Sequence, residues 1–246
     1  MLVYGHRGAA GETPENTLAG FRHAVDRGVR FFELDLNLSS DGQLVVIHDT
    51  TVDRTTSRSG KVESFTAKQL AKLDARKNCP PWPNKKGTGI ITLQELLAAL
   101  PEVITFQLEV KKRSNKVMRY VAEQLLQMFP DKKSAKGIVV TSMSKSLHKH
   151  LSEIAPHLKR GLVSESPKAY LELKQQHYDV MVLNWRVCNK TTVQKLHKAG
   201  VEVSCWTVND PELIKRLYKM GVDSVISDYP SMAIPLVGRL LAEPAA

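Results

Sequence analysis

The chain has 246 residues, 42% hydrophobic and 24% charged, a balance that excludes a disordered polymer, a collagen-like repeat and a small disulfide scaffold. Its three cysteines, Cys79, Cys188 and Cys205, form no CxxC pair, so neither a disulfide framework nor a cysteine zinc site is indicated. Lysine and arginine number 35 against 25 acidic residues, an excess that favours anionic partners without choosing among phosphorylated small molecules, nucleic acid and acidic membranes.

His6 and Arg7 stand where a signal peptide would still be apolar, and no apolar run approaches the length of a membrane span. The expectation is a cytoplasmic protein with reduced thiols and no stable membrane insertion. The lysines are scattered over several helices without interleaved aromatic residues, which argues against nucleic acid as a partner.

Strand-like runs fall at Leu2–His6, Phe31–Asn37, Ile104–Lys111, Ile138–Ser142, Arg160–Ser164, Asp179–Asn184, Glu202–Val208 and Ser224–Asp228. Amphipathic stretches between them predict helices at Asn16–Arg27, Leu93–Leu100, Lys116–Met128, Lys145–Ile154, Thr191–Ala199 and Pro211–Met220, with a last one at Ser231–Leu241. Thr13-Pro14 and Asp210-Pro211 supply start signals, and Gly28, Gly200 and Gly221 supply stops. This alternation predicts an α/β protein, a (β/α)8 TIM barrel, as one domain over residues 1–246.

Asp41-Gly42 predicts a hairpin that returns Leu44–His48 beside the second strand. Residues 50–91 are polar and turn-rich, with a short helix near Ala67–Asp74. Because the βα alternation resumes at once, this stretch reads as a small insertion after the second strand, on the loop end where barrels carry their chemistry.

In Phe31-Phe32-Glu33-Leu34-Asp35-Leu36, alternate residues share a face, so Glu33 and Asp35 point opposite to Phe32, Leu34 and Leu36. The apolar face must meet the helices, which sends two carboxylates into the barrel, where they are costly unless compensated. The next barrel strand repeats the device with Gln107, Glu109 and Lys111 opposite Phe106, Leu108 and Val110. Two readings stay open: Glu33, Asp35 and Glu109 as oxygen ligands of a hard divalent cation, or a buried ion-pair network neutralised by Lys111 and Arg7.

His6 and His48 close two strands, the usual place for catalytic groups in a barrel, and as a pair near carboxylates they can share acid and base duties. The other histidines, His23, His148, His150, His157, His177 and His197, read as solvated. Arg7 suits bidentate phosphate binding, with the bracing of a loop as the alternative for an arginine at a strand end. Asn16 reads as structural support, and Trp206 either walls a pocket against a glyceryl or head group or packs in the core.

His6-Arg7-Gly8, Pro14-Glu15-Asn16-Thr17, Glu33-x-Asp35, Asp41-Gly42, His48-Asp49, Arg54-Thr55, Glu109-x-Lys111, Trp206-Thr207-Val208-Asn209, Gly221-Val222-Asp223 and Ser227-Asp228 occur in that order. This ordered set resembles the glycerophosphodiester phosphodiesterase family. The resemblance implies hydrolysis of glycerophosphodiesters, such as glycerophosphocholine or glycerophosphoethanolamine, to sn-glycerol 3-phosphate and an alcohol. It also implies one divalent cation (Mg²⁺ or Ca²⁺, or Mn²⁺) on Glu33, Asp35 and Glu109, an acid/base pair in His6 and His48, and a phosphate grip by Arg7 and Lys111. Two departures, Thr141-Ser142-Met143 after the fourth barrel strand and the lysine-rich Lys85-Lys86, bear on head-group choice. The alternative activity is lysophospholipase D-like hydrolysis of lysophospholipids, which requires an apolar groove for an acyl chain.

Overall fold

The computed structural model describes residues 1–242. Eight parallel strands close into a barrel: β1 (Leu2–His6), β2 (Phe31–Leu38), β4 (Thr105–Val110), β5 (Ile138–Ser142), β6 (Lys159–Ser164), β7 (Val180–Asn184), β8 (Glu202–Trp206) and β9 (Ser224–Ser227). Closure is made by β1, which pairs with β9 on one side and β2 on the other. The ninth strand, β3 (Leu44–Val46), is antiparallel to the end of β2, with Leu38 opposite Leu44. Gly42 takes φ 75° in the connecting turn, a conformation that glycine adopts without steric cost. The predicted hairpin is therefore present, but β3 stops at Val46, leaving His48 in the loop beyond it.

Helices α1 (Leu18–Asp26), α3 (Leu93–Ala99), α4 (Asn115–Met128), α5 (Lys145–Ile154), α6 (Lys190–Lys198), α7 (Pro211–Met220) and α8 (Pro230–Ala242) follow the strands. Between β6 and β7 a 3₁₀ turn, Ala169–Lys174, takes the place of an α-helix. The first helix starts later than its predicted Asn16, because Asn16 has φ 55° and Thr17 is the cap that accepts from the Gly20 amide. Asp210 and Pro211 do open α7, and Gly221 closes it in the left-handed region. Of the histidines predicted to be solvated, His177 and His197 are exposed, His23, His150 and His157 are half-buried, and His148 is fully buried under β5, its Nε2 3.0 Å from the Ser142 carbonyl.

Alternation divides the apolar residues into an outer and an inner set. Phe32, Leu34, Leu36, Leu108 and Val140 face α1, α3, α4 and α5, while Met181, Leu183, Val203, Cys205 and Val225 face α6, α7 and α8. Inside the barrel, Tyr4, Val139, Val163, Val180, Val182 and Ile226 form a separate cluster. The insertion, with α2 at Ala67–Leu70, packs Val52, Val62, Leu70 and Ile90 onto Val45 and Ile47. These layers leave the barrel rim on β1, β2 and β4 to charged residues.

Leu34 has no exposed surface and points away from the barrel interior. Leu34→Ala should therefore cost about 2–5 kcal/mol in denaturant unfolding.

Candidate active site

Strand register brings the charged residues of β1, β2 and β4 together. His6 is the Cα partner of Glu33, and Asp35 is the partner of Glu109. These ends border a cavity of about 280 Å³ with a charged wall of His6, Arg7, Glu33, His48, Glu109 and Lys111. Its other wall is apolar, from Val163, Val182, Ile226, Met143 and Trp206. Seven of the eight predicted site residues line this space, and the eighth, Asp35, lies fully buried behind them.

Both readings of the carboxylate cluster have a physical counterpart. Arg7 Nε lies 2.9 Å from Asp35 Oδ2, and Lys111 Nζ lies 2.6 Å from both Asp35 Oδ1 and Glu109 Oε1. Asn16 adds a hydrogen bond of 2.9 Å to Asp35 Oδ2. Burial works to raise the Asp35 pKa, but the charges of Arg7 and Lys111 outweigh it and hold the carboxyl well below the usual range. Glu33 has no such partners: both its oxygens are buried without a hydrogen-bond donor, and the nearest cationic group is His6 Nε2 at 3.7 Å. Burial, then the charge of Asp35, pushes the Glu33 carboxyl up to about 8.

One oxygen from each of Glu33, Asp35 and Glu109 lies within 4.8 Å of the others. Two cations for three carboxylates leave a deficit of positive charge, located at Glu33. A set of hard oxygen donors with an orphaned carboxylate fits a divalent cation such as Mg²⁺, Ca²⁺ or Mn²⁺.

Each histidine has a carboxylate behind it. His6 Nδ1 lies 2.5 Å from Asp228 Oδ1, and His48 Nδ1 lies 2.6 Å from Asp49 Oδ1. An ionised carboxylate only accepts, so Nδ1 donates in both rings and Nε2 is left for the cavity. Burial works to lower the His6 pKa, but its bond to Asp228 and the charge of Glu33 raise it overall.

The carboxylates are held in turn. Asn209 Nδ2 donates to Asp228 Oδ2 at 2.7 Å, and Arg54 Nε donates to Asp49 Oδ2 at 2.6 Å. The loop carrying His48 is fixed by Asn37, whose Nδ2 lies 2.8, 3.2 and 3.2 Å from the carbonyls of Ile47, His48 and Asp49. Trp206 lines the cavity and packs against the inner apolar cluster, its indole donating to the Val182 carbonyl at 3.3 Å.

The model of the glycerophosphoryl diester phosphodiesterase family matches residues 6–232. The chain belongs to that family. It is 32% identical over 242 residues to a glycerophosphodiester phosphodiesterase of Caldanaerobacter subterraneus, with 97% of this chain and 98% of the relative covered. A solved Oleispira antarctica phosphodiesterase in complex with the product sn-glycerol-3-phosphate is 25% identical, with a TM-score of 0.83 and 97% of each chain covered. A solved Silicibacter pomeroyi structure, 23% identical over 98% of this chain and 94% of its own, shares the fold with a TM-score of 0.87. The chain is thus a phosphodiester hydrolase by family, and the TIM barrel read from its strand pattern is the fold of its relatives.

Residue-by-residue reading missed Asp228, Asn209, Asp49, Asn37, Arg54 and Glu15 as parts of the site. Asp49, Asp228, Asn209, Arg54 and Glu15 stood inside the family motifs, which was the available signal. Asn37, one alternation beyond Asp35 on the same face of β2, was marked only by that spacing.

Glu33 gives a pH prediction for chelated protein. Its folded pKa of about 8 lies above the ordinary value of 4.5, so the folded state is penalised progressively as pH rises between the two. Glu33→Gln should melt at a higher temperature than the wild type under chelation, by a margin that grows from pH 5 to pH 8. A constant or shrinking margin in thermal scans would contradict the buried, uncompensated carboxylate.

Proposed function

We propose that the chain hydrolyses glycerophosphodiesters, such as glycerophosphocholine or glycerophosphoethanolamine, to sn-glycerol 3-phosphate and an alcohol. The observation that carries this reading is the pairing of two carboxylate-backed histidines with a buried acidic cluster around one cavity. The product bound in the Oleispira antarctica relative supports the same chemistry. In this reading the whole chain is one catalytic domain working in the cytoplasm, consistent with three free cysteines and, among the described residues, no helix long and apolar enough to cross a membrane.

Glu33, Asp35 and Glu109 would hold the divalent cation, which supplies Lewis-acid stabilisation of charge developing on the phosphate. Arg7 and Lys111 add fixed positive charge at the same rim and orient the phosphate oxygens. One histidine takes the proton from the attacking oxygen through Nε2; the other donates its Nε2 proton to the departing alkoxide, which is too basic to leave unprotonated. Asp228 and Asp49 keep each ring in the required tautomer. Trp206 closes the apolar wall against the organic part of the substrate.

The decisive assay follows sn-glycerol 3-phosphate release from a panel of glycerophosphodiesters. Chelation should abolish turnover, and Mg²⁺, Ca²⁺ or Mn²⁺ should restore it. His6→Ala and His48→Ala should each lower kcat by roughly 10²–10⁴ while leaving the thermal transition near that of the wild type. A variant with near-normal kcat would remove that histidine from the mechanism.

A second reading, hydrolysis of lysophospholipids, is favoured by a larger groove beside the reaction cavity. It occupies about 780 Å³, includes Lys111, and sets an apolar side of Leu44, Val62, Val117, Met118 and Val121, which suits an acyl chain, against a polar side with Lys61, Glu63 and Arg113. Parallel turnover of glycerophosphocholine and its acylated form separates the two, since acyl binding predicts a lower KM for the acylated substrate.

A further inference from the structure

Arg54 and Glu15 belong to sequence motifs that the reaction above leaves unused. His48 differs from His6 in how it is placed: His6 ends a strand, whereas His48 lies beyond β3 with its side chain 35% exposed. The barrel hydrogen bonds therefore do not fix it. Asn37 secures the backbone of that loop, but the ring is aimed only by Asp49, the next residue in the chain. A carboxylate gripped on one oxygen still rotates unless the other is held.

We propose that Arg54, locked by Glu15, is a positioning residue that fixes His48 through Asp49. Its guanidinium meets both acids at once. Nε donates to Asp49 Oδ2 at 2.6 Å, while Nη1 and Nη2 donate to the two Glu15 oxygens at 2.7 Å each. The bidentate fork with Glu15 fixes the guanidinium plane, which a single contact or a lysine ammonium would leave free to turn. Glu15 is fixed from its other side by Arg7 Nη1, 3.0 Å from Oε1. The Arg54 backbone is also tied down, its carbonyl accepting from Asn78 Nδ2 at 2.6 Å, so the insertion anchors the clamp. Charges then alternate from Asp35 through Arg7, Glu15 and Arg54 to Asp49, joining the phosphate-binding side of the cavity to His48.

The inference rests on the reading that His48 transfers a proton, and the test separates the two. Full-length protein with saturating Mn²⁺ is assayed on glycerophosphocholine as wild type, R54A, R54K, H48A and H48A/R54A. R54A should lower kcat by about 10- to 100-fold, the usual consequence of a misplaced catalytic group. KM should change little, because Arg54 is not among the groups lining the cavity. Guanidinium ion should restore part of the R54A rate, and R54K should stay impaired, since a lysine cannot make the fork.

In the H48A background, adding R54A should cost nothing further, because both changes disable the same group. Equal fold-losses from R54A in both backgrounds would overturn the inference and assign Arg54 a general structural role. Near-normal kcat in H48A would instead overturn the reading beneath it, and the inference with it. If R54A does not fold, R54Q, which keeps part of the aliphatic stem and a polar amide without the charge, is read in the same cycle.

Discussion

Compensation of acidic groups at the inner rim of the barrel is the constraint on which the rest depends. Taking a carboxylate out of water costs several kcal/mol after relaxation, and an ion pair recovers that only with good geometry and further hydrogen bonds. Asp35 meets these conditions, receiving Arg7, Lys111 and Asn16. Glu33, two residues earlier on the same face, meets none of them and keeps both oxygens bare. The same strand thus holds a satisfied carboxylate and an unsatisfied one, and that inequality marks Glu33 as the group a bound cation would compensate.

Satisfying Asp35 shapes the backbone around it. Arg7 has φ 51° and Asn16 has φ 55°, conformations that cost about 1–3 kcal/mol each outside glycine. The two strained residues are bonded to each other, Asn16 N to the Arg7 carbonyl at 2.9 Å, and the Arg7 amide reaches the Glu33 carbonyl at 2.9 Å. Both side chains turn back onto Asp35 as a result. Had Asn16 continued the helix as its position suggested, its amide could not have reached that buried oxygen. Local helix propensity gives way to the satisfaction of a buried charge, which is worth more.

This difference decides what was legible in the sequence. Strand alternation is a period-two signal, so the inward direction of Glu33, Asp35 and Glu109 and the outward direction of Leu34 and Leu108 could be read from a few consecutive residues. Hairpin chemistry at Asp41-Gly42 and the capping of α7 by Asp210 are equally local. The partners of the histidines are not. Asp228 lies 222 positions from His6 and meets it only because β1 closes the barrel against β9. The burial of His148 likewise follows from how α5 packs under β5, which a helical pattern rich in polar residues did not reveal.

The different placement of the two histidines gives the insertion a structural task in this barrel. A strand end is rigid, so His6 needs only a neutral amide, Asn209, to hold its aspartate. A loop is entropically free, and a side chain on it must be ordered by contacts that outweigh about 1–2 kcal/mol per fixed residue. The segment after β3 supplies them in layers: an apolar cluster of Val52, Val62, Leu70 and Ile90 anchors the loop, Asn37 fixes its backbone, and the Arg54 fork aims its aspartate. The stronger, charged brace lies on the more exposed of the two histidines. That is the distribution expected if both rings must face one phosphate with the same accuracy, although only one of them starts from a strand.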